Sequence, residues 1–204
     1  MKIDQHTDPM DYQPNMEIIT SDIMEQVLAA RNAYDAAVYT EASVKQALTK
    51  DHLTPDDFAA LLSPAAEAFL EQMAQRALQE TRKHFGNTVN LFTPLYLANY
   101  CENYCVYCGF NCHNNIKRAQ LNAVEIEREM AIAAQGLEEI LLLPGESPAI
   151  SSVQYLAEAC KLARKYFRVV GLEVYPMDSS DYAYLHQCGA DFVTVFQETY
   201  NTEK

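Results

Sequence analysis

The stretch VNLFTPLYLANYCENYCVYC, Val89 to Cys108, decides the fold. Its first part, VNLFTPLYLA (Val89 to Ala98), reads as a buried strand, and the strand runs straight into three cysteines spaced Cys101-x3-Cys105-x2-Cys108. A loop that leaves a strand end and curls within Tyr100 to Gly109 can present three thiolates to one cluster. Electron-carrying [4Fe-4S] centres use four cysteines, so a three-cysteine nest leaves one iron without a protein ligand and points to chemistry at that open corner. Two other readings of the same residues compete. A zinc knuckle could form from Cys105, Cys108, Cys112 and His113, although the usual distant second ligand pair is lacking, since Cys160 and Cys188 stand far apart in the chain. A plain packing role would leave three polar-flanked loop cysteines without a reason.

Downstream of the cysteines the rhythm is strand and helix in alternation. Apolar runs span Glu139 to Leu143, Arg168 to Tyr175 (RVVGLEVY) and Phe192 to Gln197 (FVTVFQ). Helical patterns near 123–135, 152–166 and 179–187 lie between them, the first opened by Asn122 with Glu125 in capping-box register. Such alternation predicts an α/β fold with a parallel sheet and helical crossovers. Four strands make about half of a (β/α)8 barrel, whose usual length is ~250 residues, and barrel sites gather at the C-terminal strand ends. The loop Tyr100 to Gly109 sits at such an end. Residues 198–204, ETYNTEK, follow the fourth strand without a closing element, and the expectation is an incomplete fragment.

Upstream the chain is helical. Residues 1–20 lack periodicity and form a loose lead-in. From Asp22 to about Tyr39, Ile23, Val27, Ala30, Tyr34 and Ala37 share one helical face, and a short second helix should follow. Thr54-Pro55-Asp56-Asp57 and Ser63-Pro64 are two further helix starts. The helix from Pro64 to about Phe85 should bury Ala66, Phe69, Leu70, Met73 and Ala77 and stop at Gly86-Asn87. The expected organisation is a helical region over 1–86 and a partial barrel over 87–204.

Composition narrows the function. The 204 residues carry 28 acidic and 15 basic side chains, a net charge of −13, spread evenly along the chain. An acidic chain without a basic stripe argues against nucleic acid, and no apolar window approaches a membrane span. The N-terminal MKIDQHTDPMDYQPN has no apolar core of the secretory kind, so a cytoplasmic location is expected. Four of the six cysteines crowd into residues 101–112, which fits metal chemistry in a reducing compartment better than disulfides.

The block PLYLANYCENYCVYCGFNCHNNIKRAQL, with its aromatic Tyr107 before the last motif cysteine, resembles the radical S-adenosylmethionine superfamily. More narrowly, FGNTVNLFTPLYLANYC, NNIKRAQL, LLLPGE, EVYP and FQETY resemble the tyrosine lyases of thiamin biosynthesis, the 2-iminoacetate synthases of the ThiH type. The likeness runs from about residue 25 to 204. It implies a helical N-terminal extension followed by the first half of a TIM-like barrel. It also implies a [4Fe-4S] cluster and S-adenosyl-L-methionine, whose cleavage releases a 5'-deoxyadenosyl radical that takes hydrogen from L-tyrosine. The Cα–Cβ bond then breaks to give 2-iminoacetate and p-cresol. The implied partners are a low-potential electron donor such as flavodoxin or ferredoxin, and the thiazole synthase of the same pathway. A sibling resemblance, to the tyrosine lyase of [FeFe]-hydrogenase maturation (HydG-like), stays open, as does a non-catalytic metal-binding module.

The same resemblance distributes roles among the residues. Cys101, Cys105 and Cys108 hold the cluster, and Tyr107 lies against the adenine. Gly145 allows close approach, and the Glu146 carboxylate receives the cofactor's ammonium through charge-assisted hydrogen bonds, although Pro144 stands where many such enzymes have another glycine. Glu173, inside an otherwise apolar strand, and Gln197 and Glu198, at the end of the fourth, are expected polar contacts to cofactor or substrate. No side chain is expected to act as acid or nucleophile. Arg118 reads as solvent-facing, Cys112 as a non-ligand neighbour, and Cys160 and Cys188 as small core residues.

Overall fold

The computed structural model describes residue 18 and residues 20–196; Gln197 and Glu198 lie outside the described residues. Two compact units divide near residue 90, one helical and one built on a parallel sheet.

The helical unit contains α1 (Ile23–Ala33), α2 (Glu41–Thr49), α3 (Pro55–Leu61) and α4 (Leu70–Phe85). Short 3-10 turns stand at Ala36–Val38 and Pro64–Phe69. The helix expected to reach Tyr39 ends at Ala33, because the Asp35 carboxylate accepts the Ala37 N–H at 2.9 Å and starts a separate turn. No residue of α1 is buried, so its expected apolar face is exposed. Thr40 and Ser43 form the capping box of α2, and Thr54 and Asp57 that of α3, with Pro55 in its first turn. The helix expected from Pro64 is divided. Ser63 turns its hydroxyl back to the Ala60 carbonyl at 2.7 Å instead of capping the next turn, which winds as a 3-10 helix before α4 begins at Leu70. The core here is Val44, Ala66 and Phe69, joined by Leu48, Leu61 and Met73. Leu70 and Ala77, expected inside, are exposed.

In the second unit, β1 (Phe92–Ala98), β2 (Glu139–Pro144), β3 (Val169–Glu173) and β4 (Phe192–Thr194) form one sheet in the order β1-β2-β3-β4, every pair parallel. The connections are α5 (Ala123–Ala133), α6 (Val153–Ala163) and α7 (Ser179–Gln187). Asn122 caps α5, accepting from the N–H groups of Val124 and Glu125, while Glu125 reaches back to the Asn122 N–H. The α/β class and the four parallel strands with three intervening helices, about half a barrel, are as the sequence predicts. Residues Val89–Leu91, expected in the first strand, precede it and are exposed.

Alternation along the strands gives the sheet two unlike faces. Leu97, Ile140, Leu142, Val170 and Leu172 belong to the core with Ile126, Met130, Leu156, Ala159 and Leu185 of the helices. The residues between them in register, Phe92, Pro94 and Tyr96 on β1, Leu141 on β2, Gly171 and Glu173 on β3, and Phe192 and Thr194 on β4, occupy the opposite face. There Phe92, Tyr96 and Phe192 are exposed. Gly171 is needed beneath Phe192, whose ring lies 2.3 Å from where a Gly171 Cβ would stand. Among the described residues, no helix is long and apolar enough to cross a membrane.

Candidate active site

The cysteine loop is an excursion from the C-terminal end of β1 that returns alongside it. Asn99 closes its base: its N–H donates to the Ala119 carbonyl (3.1 Å), its side-chain oxygen accepts the Ala119 N–H (2.7 Å), and its amide donates to the Lys117 carbonyl (2.9 Å). The Leu121 N–H reaches the Leu97 carbonyl at 2.9 Å. Arg118, expected to face solvent, is half-buried and turned inward. Its guanidinium donates to the carbonyls of Asn99 (2.6 Å), Phe110 (2.8 Å), Asn111 (2.6 Å) and Asn114 (3.4 Å). The reason is that an irregular loop has carbonyls with no ladder partner, and one planar guanidinium can satisfy several.

Within the loop, successive turns set the cysteines. The Cys108 N–H donates to the Cys105 carbonyl, the Asn111 N–H to the Cys108 carbonyl, and the Cys112 N–H to the Asn103 carbonyl at 2.8 Å. Asn111 adds a side-chain bond to the Cys105 carbonyl (2.9 Å), and the Phe110 N–H points at Cys108 Sγ (3.4 Å). All four loop cysteines are half-buried and outside any disulfide, and Cys160 and Cys188 are buried. Burial pushes the Cys101 thiol up; the N–H groups of Asn103 and Glu146 pull it down, while the nearby Glu146 carboxylate and Cys108 push it further up. Among the described residues, no three or more His, Cys, Asp and Glu side chains gather as a site for a single metal ion. A lone zinc ion needs its ligands ~2.0–2.3 Å from one point. A four-iron cluster instead takes each thiolate at a different iron, so its sulfurs need not meet.

The end of β2 lies directly beside this loop. The Gly145 N–H donates to the Ala98 carbonyl (3.0 Å) and the Glu102 N–H to the Glu146 carbonyl (2.8 Å). Two side-chain bridges accompany them, Ser147 Oγ to Glu102 Oε1 at 2.9 Å and Asn103 Nδ2 to Glu146 Oε2 at 2.5 Å. Gly145 is required by packing: a Cβ there would lie 2.2 Å from the Tyr100 carbonyl oxygen. Glu146 is half-buried. Burial raises its pKa, with Glu102 adding to the rise and the Asn103 amide opposing it.

The remaining candidates are more dispersed. Tyr107 is 57% exposed beside the nest. Glu173 is half-buried at the end of β3, paired in register with Thr194. Tyr175 is buried just past the end of β3 and donates to the Ser151 carbonyl at 2.6 Å; burial pushes its pKa up to about 12, with the Asp181 and then the Glu146 carboxylate adding to the rise. Sequence reasoning did not find Asn103, Ser147, Tyr175 or the inward Arg118. The first pairs with a residue far along the chain, and only the parallel register brings them together.

No protein-family model matches the chain. It is 47% identical over 163 residues to 2-iminoacetate synthase of Escherichia coli (strain K12), covering 79% of this chain and 43% of the relative. The chain is a homologue of 2-iminoacetate synthase. The resemblance to the radical S-adenosylmethionine superfamily drawn from the cysteine block is thereby borne out. Two solved structures share the fold of this chain. The crystal structure of HydG, a maturase of the [FeFe]-hydrogenase, superposes with a TM-score of 0.71 at 26% identity over 90% of this chain and 42% of that one. Methylornithine synthase (PylB) does so with 0.62 at 28% identity over 79% and 49%. The chain spans about two-fifths of the length of the curated relatives it matches.

Proposed function

We propose that this chain supplies the cluster-bearing part of a lyase that cleaves the Cα–Cβ bond of L-tyrosine to 2-iminoacetate and p-cresol, providing the imine for the thiazole ring of thiamin. The observation that carries the reading is the 47% identity to 2-iminoacetate synthase over 163 residues. It is supported by a loop in which the Phe110 N–H donates to Cys108 Sγ at 3.4 Å, the kind of contact that tunes an iron–sulfur centre.

In this reading Cys101, Cys105 and Cys108 hold a [4Fe-4S] cluster, and Cys112 does not. When bound, the cluster and S-adenosylmethionine supply one-electron reduction and hydrogen abstraction, chemistry that no side chain offers. The protein's own contribution is to bind, orient and exclude water. Glu146, held by Asn103 across the base of the loop, receives the cofactor's ammonium. Gly145 lets the loop backbone lie directly on the strand end. Tyr107 supplies an aromatic face for the adenine, and Glu173, Gln197 and Glu198 supply polar contacts to cofactor or substrate. The electron comes from a donor of the flavodoxin or ferredoxin class, the imine passes to a thiazole synthase, and the setting is the cytoplasm.

The test is anaerobic reconstitution of the full-length protein with iron and sulfide, followed by S-adenosylmethionine, reductant and tyrosine. A reduced [4Fe-4S] signal that changes on adding the cofactor, with 5'-deoxyadenosine, p-cresol and glyoxylate from imine hydrolysis, is expected. Stable zinc without iron uptake would sink the assignment in favour of a non-catalytic module. A second reading, the hydrogenase-maturation lyase, is favoured by the HydG superposition. A second cluster elsewhere in the full-length protein would move the assignment to that branch.

A further inference from the structure

Arg118 stands out from its sequence context. Beside Lys117, after an asparagine-rich loop, it would be expected in water, yet its guanidinium lies within the cysteine loop and bonds four backbone carbonyls. These come from both limbs: Asn99 precedes the first cysteine of the nest, and Phe110, Asn111 and Asn114 follow the last. None of the four acceptors carries a net charge, so these bonds fix the cation in place without neutralising it. A lysine could not do this, because it lacks the planar fork.

One of the four partners connects Arg118 to a sulfur. The carbonyl of Phe110 accepts from Arg118 Nη1 at 2.8 Å, and the N–H of the same residue donates to Cys108 Sγ at 3.4 Å. Phe110 is held further by an edge-on contact with the Tyr96 ring, 5.5 Å between centroids. The potential of an iron–sulfur centre is set by net charge, hydrogen bonds to its sulfurs and solvent exposure. Adding an electron makes the centre more negative, and a fixed cation and an amide on sulfur both favour that state.

We infer that Arg118 is a positioning residue for the cluster: by clamping Phe110 it keeps an amide on the Cys108 sulfur, and its charge together with that amide raises the cluster's reduction potential. The inference rests on the cluster reading above. Without Arg118 the loop carbonyls would turn to water, and the Phe110 amide would lose its fixed direction.

The experiment compares the wild-type 204-residue chain with Arg118→Gln, Arg118→Lys and a control, Arg128→Gln, which removes an equal charge from the exposed face of α5. Three quantities are read: hydrogen exchange of the Phe110 amide in the apo protein, the rate of iron loss to a chelator, and the midpoint potential from a mediated redox titration followed by the reduced-cluster signal. Arg118→Gln should speed Phe110 exchange by at least about tenfold, lose iron faster and shift the midpoint lower. Arg118→Lys, keeping the charge but not the fork, should exchange and lose iron as fast, with a midpoint between the other two. Arg128→Gln should match wild type in all three. An Arg118→Gln midpoint equal to that of wild type overturns the inference. Should that variant take up no cluster, wild-type exchange and iron loss in Arg118→Lys overturn it instead. Failure of wild type itself to take up iron rejects the cluster reading, a result separate from any difference among the variants.

Discussion

The side-chain amide of Asn103, between the first two cysteines of the loop, donates to the carboxylate of Glu146 at the end of the neighbouring strand across 2.5 Å. This bond joins the two segments assigned to cluster and cofactor, and it separates their roles experimentally. Glu146→Gln keeps an oxygen that can accept from Asn103 while removing the charge a bound ammonium would use. The variant should assemble its cluster normally yet bind S-adenosylmethionine more weakly by about 1.5 to 3 kcal/mol, the value of a hydrogen bond to a charged group. Unchanged affinity in a cofactor titration of the reconstituted variant would retire Glu146 as the anchor.

The cysteines divide in the same way. Cys105→Ala removes one of three thiolates and should abolish the reduced [4Fe-4S] signal after reconstitution. Cys112→Ala should leave iron content unchanged, because the backbone bond from the Cys112 N–H to the Asn103 carbonyl does not need the side chain. Loss of iron on removing Cys112, with retention on removing Cys101, would favour the zinc-type grouping.

Two glycines of the sheet should respond unequally to alanine. At Gly145 the added Cβ meets the Tyr100 carbonyl oxygen at 2.2 Å and its carbon at 2.8 Å, both backbone atoms tied to the loop base. Overpacking against backbone costs about 1 to 3 kcal/mol, and Gly145→Ala should lower the unfolding midpoint and impair cluster uptake. At Gly171 the obstacle is the Phe192 ring, an exposed side chain that can swing aside for about 0.5 to 1.5 kcal/mol. Equal destabilisation of the two variants in denaturant titrations would contradict this packing argument.

In the helical unit, Asp57 accepts from Lys50 Nζ (2.6 Å), the Thr54 N–H (2.9 Å) and Thr54 Oγ1 (2.8 Å). The lysine bond first, and then the two from Thr54, hold its pKa down at about 2. A carboxylate with a depressed folded-state pKa stabilises fully above its unfolded value of about 3.9, and that stabilisation fades as pH falls through the folded value. The difference in unfolding midpoint between wild type and Asp57→Asn should therefore be constant from pH 7 to 5 and shrink between pH 4 and 2. A difference that persists unchanged to pH 2 would mean that the charge is not what matters.

Much of this was legible in the chain because the signals were local. The cysteine spacing, the Asn122–Glu125 box and the alternation of apolar runs each lie within a few residues, and strand order followed from the repeat. What stayed hidden was long-range or conformational. Asn103 and Ser147 look like ordinary loop polar residues until the parallel pairing of β1 and β2 sets the two strand ends side by side. Arg118 could not be read as buried, since nothing in NNIKRAQL tells which way a side chain turns when the loop doubles back. The helix from Pro64 failed for a smaller reason: a serine before proline is a capping signal, but here its hydroxyl serves the preceding turn instead.

The open face of the sheet bears on what the 204-residue chain can do by itself. Among the described residues, β4 is paired with β3 alone, and Phe92, Tyr96 and Phe192 present aromatic surface, each at least 40% exposed. A tyrosine held against such a surface would keep one side in water, while radical chemistry needs the reacting carbon enclosed, since water and reductant compete for the intermediate. The chain matches only 43% of its 2-iminoacetate synthase relative, so most of that protein's length has no counterpart in the alignment. The 204-residue polypeptide, reconstituted alone, should release 5'-deoxyadenosine slowly and without coupling, and tyrosine should give no p-cresol above background. Chromatographic assay of both products in one reaction checks this. Stoichiometric p-cresol from the isolated chain would show that the open face is covered in solution, by a second copy or another protein, and sedimentation of the active species would tell which.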